Sequence, residues 1–201
     1  MQYTMNSDAV ATPDRIKLPL HFDPARLKSD LAGITDDAWT AHFNTDGYAG
    51  DWAGVALRGP AGATHPILAL HPSPTATKWA DTDVLKQCEY FQQVLSAFRC
   101  PLQTVRLLKL GPGSVIKEHR DHALGIEDGL ARIHIPVLTN PDVEFILNKQ
   151  PIVMAEGECW YMNFNLLHSV TNNGPSARIH LILDCEVNDW LCERLMPSVY
   201  N

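Results

Sequence analysis

The sequence has no apolar run approaching the roughly 20 residues that a membrane-spanning helix requires. It has no run of Lys and Arg either. Its 16 basic residues are outnumbered by 23 acidic ones, for a formal charge of −7 with His neutral. That balance disfavours a nucleic-acid partner and leaves no polybasic anchor for a membrane surface. Cysteine is scarce and odd in number. Cys88, Cys100, Cys159, Cys185 and Cys192 include no C-x-x-C pair, which argues against a disulfide framework and fits a reducing cytoplasm. Cys159 and Cys185 sit in apolar strand-like segments and read as core. Residues 1–8 lack the basic and apolar regions of a secretory signal and read as a loose terminus. No linker-like stretch divides the chain, so residues 1–201 read as a single domain. At 45% hydrophobic and 19% charged, it can bury a sizeable core.

What is present is His119-Arg120-Asp121, with a second imidazole at His168 and a guanidinium at Arg178. Two imidazoles and a carboxylate are the ligand set of a facial triad. Such a triad holds Fe(II) on one side and leaves positions open for substrate and O2. An arginine ten residues past the second His can grip a carboxylate with two parallel hydrogen bonds, as a 2-oxoglutarate cosubstrate requires. An isolated H-x-D is a weak signal in a chain with nine His, so its surroundings carry the weight. Leu110-Gly111-Pro112-Gly113-Ser114 reads as a turn. Val115 and Ile116 start a strand. His119 and Asp121, two apart in extended chain, then point to one face and can share a metal.

The second half of the site has the same logic. Ala155-Glu156-Gly157-Glu158 reads as a turn and 159–164 as a strand, and Thr171-Asn172-Asn173-Gly174-Pro175-Ser176 is a strong turn signal. The segment 178–184 alternates. Arg178, His180, Ile182 and Asp184 share one face, and Ile179, Leu181 and Leu183 the other. On this reading His168 and Arg178 flank a hairpin and face one cavity. Taken alone, Arg178 reads better as a hairpin residue paired with a surface carboxylate. Ala131-Arg132-Ile133-His134 repeats as Ala177-Arg178-Ile179-His180, 46 residues later. If the Ile faces pack inward, the Arg and His faces line something polar. A cavity for a dianionic cosubstrate fits, and so does a solvated sheet face.

At this point a resemblance becomes visible. From Gly111 to about Asp189 the chain resembles the aspartyl/asparaginyl β-hydroxylase family, which includes bacterial free-amino-acid hydroxylases. The matching stretches are Gly111 to Asp121, Arg132 to Val137, Gly157 to Asn163, His168 to Val170 and Arg178 to Asp184, within about 80 of the 201 residues. The resemblance implies a mainly β chain with flanking helices, folded as a double-stranded β-helix (a cupin-like jelly roll) with Fe(II) at its mouth. It implies iron ligation by His119 and His168. It also implies a grip by Arg178 on the distal carboxylate of 2-oxoglutarate, with Arg132 and His134 contacting the cosubstrate. Some members carry Gly in place of Asp121; its presence here implies a full triad. A position that carries Ser in some members is Leu108 here. The metal and cosubstrate site is expected within residues 108–184 and the helical decoration mainly within 22–98.

Asp23-Pro24 reads as a helix start, with Phe22 and Leu27 as a hydrophobic staple and Gly33 as its end. Val84, Leu85, Cys88, Phe91, Leu95 and Phe98 follow helical spacing, which predicts one amphipathic helix over 82–98. Residues 188–195 read as a short helix closed by Pro197, and 60–64 and 71–75 as loops. Three residues are candidates for a substrate site. Arg58 can hold an amino-acid carboxylate, although a lone Arg is more often a solvated strand end. Trp52 can wall the pocket or lie in the core. His122, beside the triad, faces either the substrate or solvent. The expected function is an Fe(II)- and 2-oxoglutarate-dependent hydroxylase of an amino acid or small amino-acid-containing substrate, consuming O2. Two other classes stay open: a cupin-like Zn²⁺ hydrolase or isomerase, which leaves Arg178 and Arg132 without a role, and a non-catalytic barrel that binds a dicarboxylate.

Overall fold

A computed structural model describes residues 12–70 and 76–196. The expected loop at 71–75, the loose terminus at 1–8 and the stop at Pro197 lie outside those residues. Thirteen strands are described. The first five are β1 (Arg15–His21), β2 (Thr40–Ala41), β3 (Tyr48–Ala49), β4 (Trp52–Pro60) and β5 (Trp79–Asp81). Then come β6 (Leu102–Leu110), β7 (Val115–His119), β8 (Leu130–Leu138), β9 (Val143–Leu147) and β10 (Gln150–Pro151). The last are β11 (Glu158–Met162), β12 (His168–Asn172) and β13 (Arg178–Glu186).

They form two antiparallel sheets. The larger runs β1-β11-β8-β13-β6-β4-β2, with β5 also on β4; the smaller runs β10-β9-β12-β7-β3. From β6 onward the chain crosses back and forth between the two: β6, β8, β11 and β13 lie in the large sheet, and β7, β9, β10 and β12 in the small one. This is the expected jelly roll, in which two face-to-face sheets enclose a common interior.

Alternation sorts the large sheet into two unlike faces. Ile179, Leu181 and Leu183 of β13 join Ile133 and Ile135 of β8 and Val105 and Leu107 of β6 in one apolar cluster. The same cluster holds Leu27, Leu85, Phe91, Val94 and Leu191 from the helices, so oil lies between sheet and helices. The opposite face carries Thr104, Arg106, Arg132, His134, Arg178, His180 and Asp184, all buried. A second apolar cluster, with Leu110, Phe145, Leu147, Met162 and Phe164, closes part of the interior between the sheets.

Four of the five described α-helices lie in the N-terminal half: α1 (Pro24–Ala32), α2 (Pro66–Leu70), α3 (Asp83–Lys86) and α4 (Glu89–Ser96). The fifth is α5 (Asp189–Leu195), capped by Asn188, whose Oδ1 accepts from Leu191 N at 3.1 Å. No helix is long and apolar enough to cross a membrane among the described residues. Asp23 caps α1 as expected, accepting from Ala25 N at 2.8 Å, and Pro24 opens it.

The helix expected over 82–98 is two helices. Leu85, Cys88, Phe91 and Phe98 are buried across the break, so the apolar stripe holds while the backbone ladder does not. The Gln92 amide supplies what the ladder loses, donating to Leu85 O (3.1 Å), Lys86 O (3.2 Å) and Cys88 O (3.4 Å). Asp30 of α1 accepts from Phe91 N at 2.8 Å and caps the first turn of α4 from outside. Periodicity cannot register such caps, which come from other parts of the chain.

A second correction concerns 168–178. β12 and β13 are not a hairpin: β12 pairs with β7 and β9, and β13 with β6 and β8. The turn at 173–177 carries the chain from one sheet to the other. A buried amide fixes it. Asn172 Nδ2 donates to Leu110 O, Gly111 O and Ser176 O at 2.9–3.0 Å, and its Oδ1 accepts from Asn140 Nδ2 at 3.1 Å. Asn172→Ala strips partners from several buried carbonyls and should lower stability by about 2–4 kcal/mol in urea unfolding. A loss under about 0.5 kcal/mol, the range of ordinary surface substitutions, would show that water replaces the amide.

Candidate active site

The smaller sheet brings the two imidazoles together. His168 of β12 lies opposite His119 of β7 in the ladder, and their ring centroids are 4.1 Å apart. His119 Nδ1 is 2.8 Å from Lys117 O, and His168 Nδ1 is 3.0 Å from Leu166 O. A carbonyl only accepts, so each Nδ1 carries the proton and each Nε2 presents a bare lone pair. A carbonyl holding the other ring nitrogen in this way fixes a histidine's tautomer and orientation for metal ligation. Asp121 lies two residues past the end of β7, where its backbone N donates to Phe164 O at 3.0 Å. Its Oδ1 faces His119 Nε2 at 3.6 Å. One ligand atom from each of the three residues lies within 4.8 Å of the others, a spacing that one first-row divalent cation can span. Burial pushes the His168 pKa down to about 4, more than its carbonyl partner raises it, so the ring is neutral, as ligation requires. Burial alone would raise the Asp121 pKa. The Arg132 guanidinium leads the opposing influences, which outweigh burial and hold the carboxyl ionised.

These residues open on a cavity of about 600 Å³ between the sheets. Arg132, His134 and Arg178 of the large sheet also line it, with Phe145, Phe164 and Ile182 as apolar wall. Every triad and cosubstrate residue expected from the sequence therefore meets in one place.

Arg178 is the most unusual of them. It is 2% exposed, its Nε has no partner, and no carboxylate lies within ion-pairing distance among the described residues. Its Nη2 donates to His180 Nδ1 at 2.8 Å, and its guanidinium lies 5.7 Å from the Phe145 ring. Burial lowers its pKa to about 9, because nothing nearby compensates the charge. His180 Nδ1 must accept from it, since a guanidinium only donates. His134 Nδ1, 3.3 Å from that same nitrogen, is then the donor, which leaves His134 Nε2 a bare acceptor. That Nε2 has no partner. Burial first, then Arg178, holds the His134 pKa well below its usual value, so the ring stays neutral. In this tautomer His134 cannot donate to a carboxylate cosubstrate.

Arg132 reaches the cavity with its fork already occupied. Nε donates to Asp184 Oδ1 at 2.7 Å, Nη2 to Asp184 Oδ2 at 3.1 Å, and Nη1 to Asp121 Oδ2. Of the three candidates for substrate contact, Trp52 and His122 line the cavity. Arg58 does not. The register of β4 on β6 slips by one residue between Ala56 and Arg58, and the Arg58 side chain pairs with Asp81 and donates to Leu102 O at 3.1 Å.

Two cavity residues escaped the sequence reading. Arg106 sits on the inner face of β6, 4% exposed. The available sign was the alternation of Thr104 and Arg106 against Val105 and Leu107. His42 stacks on Trp52 with centroids 3.6 Å apart, and burial, then Arg106, lowers its pKa to about 4. No local pattern marks it.

Fold and site together define a jelly roll with a two-His, one-carboxylate cluster opening on a buried arginine, the ligand set of non-haem iron oxygenases. The chain belongs to the aspartyl/asparaginyl β-hydroxylase family, whose model matches residues 30–187. It is 25% identical over 168 residues to L-proline cis-4-hydroxylase of Rhizobium meliloti (strain 1021); the match covers 82% of this chain and 58% of that protein. The chain thus spans a little over half the length of that relative. Among solved structures, a 2OG-Fe(II) oxygenase family oxidoreductase from Burkholderia pseudomallei superposes with a TM-score of 0.59 at 15% identity. That superposition covers 86% of this chain and 85% of the other. The non-haem α-ketoglutarate-dependent epimerase SnoN of nogalamycin biosynthesis gives 0.55 at 10% identity, covering 87% and 79%. At these identities the superpositions establish the jelly roll alone.

A buried cation without an anion costs stability that an apolar residue of similar size would not. Arg178→Met should therefore raise the stability of the ligand-free protein by about 1–4 kcal/mol in urea unfolding. A destabilised variant would mean that Arg178 serves the fold.

Proposed function

We propose that this protein is an Fe(II)- and 2-oxoglutarate-dependent hydroxylase acting on an amino acid or a small amino-acid-containing substrate, with succinate and CO2 as coproducts. The observation that carries this reading is Arg178: a buried guanidinium with no carboxylate partner among the described residues, lining the same cavity as His119, Asp121 and His168. Such a charge asks for an anion from outside the chain. The distal carboxylate of a keto diacid supplies it, and the guanidinium fork matches a carboxylate with two parallel bonds.

The two imidazole Nε2 atoms and Asp121 would hold the iron. When bound, iron, 2-oxoglutarate and O2 supply the oxidant: the keto acid is oxidatively decarboxylated, and one oxygen atom goes to the substrate. The protein binds, orients and keeps water out. Arg178, fixed by His180, sets the depth at which the diacid sits. Leu108, Ile116, Phe164 and Val170 provide a dry wall. His134 Nε2 accepts from a donor on a bound molecule. Trp52, His42 and His122 stand at the side left for substrate. The R. meliloti relative is named for L-proline, and a free amino acid fits a cavity of about 600 Å³ that also takes a five-carbon diacid. We place the reaction in the cytoplasm, a reading supported by the buried thiols of Cys88, Cys100, Cys159 and Cys185.

The test is aerobic incubation with Fe(II), 2-oxoglutarate and a panel of free amino acids including L-proline, read by mass spectrometry. Succinate that requires O2, together with a product 16 Da heavier, is the expected result; a gain of one oxygen atom defines that mass. Conversion that proceeds without 2-oxoglutarate would point to metal-assisted hydrolysis or isomerisation. Arg178→Ala should raise the 2-oxoglutarate requirement by roughly 30-fold to several thousandfold, the equivalent of about 2–5 kcal/mol, with metal affinity unchanged. Arg178→Lys, which keeps the charge and loses the fork, should fall between. An unchanged 2-oxoglutarate dependence in Arg178→Ala would overturn the placement of the cosubstrate.

A further inference from the structure

Asp121 is a ligand without a strand to hold it. β7 ends at His119, and among the described residues one backbone bond, Asp121 N to Phe164 O, ties the residue down. What fixes its side chain comes from three adjacent strands of the opposite sheet. Asp184 on β13 lies directly across from Arg132 on β8, and the β6 residues Thr104 and Arg106 reach the same carboxylate from its other side. Thr104 Oγ1 donates to Asp184 Oδ2 at 2.6 Å, Arg106 Nη1 donates to that oxygen at 3.0 Å and to Thr104 Oγ1 at 2.6 Å. All four side chains are buried.

This packing leaves Arg132 no rotational freedom. Two of its nitrogens are bound to the two oxygens of Asp184, and a guanidinium is planar, so the direction of the third nitrogen follows. That third nitrogen, Nη1, donates to Asp121 Oδ2. Oδ1 is left facing His119 Nε2. A carboxylate free of Arg132 could turn both oxygens, or neither, toward a cation.

Resting on the metal-site reading above, we propose that Asp184, acting through Arg132, is a positioning residue that presents Asp121 to the metal by one oxygen. Arg132 on this account sets a metal ligand and does not grip the cosubstrate. Asp184 itself touches neither metal, cosubstrate nor substrate. Removing an outer-shell partner of a metal ligand lowers metal affinity by about 10–100-fold.

The test is a double-mutant cycle on metal affinity, read by calorimetric titration of the full chain with Ni(II), which such sites bind more tightly than Fe(II). Asp184→Asn should lower Ni(II) affinity by about 10–100-fold in the wild-type background and by less than about threefold in Asp121→Ala, where nothing remains to be positioned. The second background subtracts any direct effect of the lost charge on the cation. Equal losses in both backgrounds would overturn the proposal and leave Asp184 a structural residue. Arg132→Lys runs through the same cycle if Asp184→Asn does not fold, and it keeps the charge near the metal constant. His168→Ala separates this inference from the one it rests on. Wild-type Ni(II) affinity in His168→Ala would overturn the metal site itself. Loss of binding there, with an additive cycle, would overturn only the positioning role.

Discussion

Asp184 holds two guanidinium groups in a place water does not reach, and the interior of the jelly roll is built around that fact. Three arginines point inward from the large sheet, and two carboxylates answer them. Burial would raise the pKa of Asp184, but Arg106 and Arg132 outweigh it and hold the carboxyl ionised. Burial would lower that of Arg132, but Asp184 and Asp121 outweigh it in turn. Each charge is affordable only because its neighbour is present. The cluster closes on itself apart from Arg178, which has no carboxylate partner among the described residues.

The large sheet makes this possible by keeping oil and charge on opposite faces. In a half-solvated sheet the polar face meets water. Here the helices cover the apolar face, the smaller sheet covers the polar one, and both are buried. An apolar body packed under helices keeps the strands rigid, so side chains on the inner face hold positions that loops would not. The imidazoles are set by ladder pairing and by backbone carbonyls, and Arg178 by its strand neighbour His180. Asp121, alone on a loop, is reached by a side chain from across the interior.

Much of this was legible in the sequence, and the parts that were not share a cause. The spacing of His119, Asp121, His168 and Arg178, and the alternation of 178–184 and 131–138, are local patterns, and the structure keeps them. The strand faces came out as expected, and from His180 to Glu186 β13 pairs with β8 without a slip. Arg58, read either as a carboxylate grip or as a solvated strand end, pairs with Asp81 on a neighbouring strand and does not line the cavity, a partner that no local pattern names. Residues 82–98 broke into two helices because Gln92 and Asp30 provide caps that no periodicity contains. The supposed hairpin at 168–178 is a crossing between sheets, and turn chemistry alone does not say which partner the next strand will take. His42 was invisible for the same reason, since its importance lies in what it faces, whereas Arg106 had a sign in the alternation of β6.

The cavity has a rim and a floor of different origin. The rim comes from two short segments, 42–47 and 117–122, that are mostly half-buried or exposed. The floor is carried on β6, β8 and β13, where side chains hold one another by charge. For anyone reshaping this protein, or for natural drift, the two halves offer unequal room. Apart from His119 and Asp121, rim positions can change one at a time, since each meets solvent on one side. Floor positions are interlocked: replacing Arg106, Arg132 or Asp184 singly leaves a buried charge behind, so a viable path must alter at least two together. Variation in what is accepted should therefore gather at the mouth, over an interior that admits few intermediate sequences.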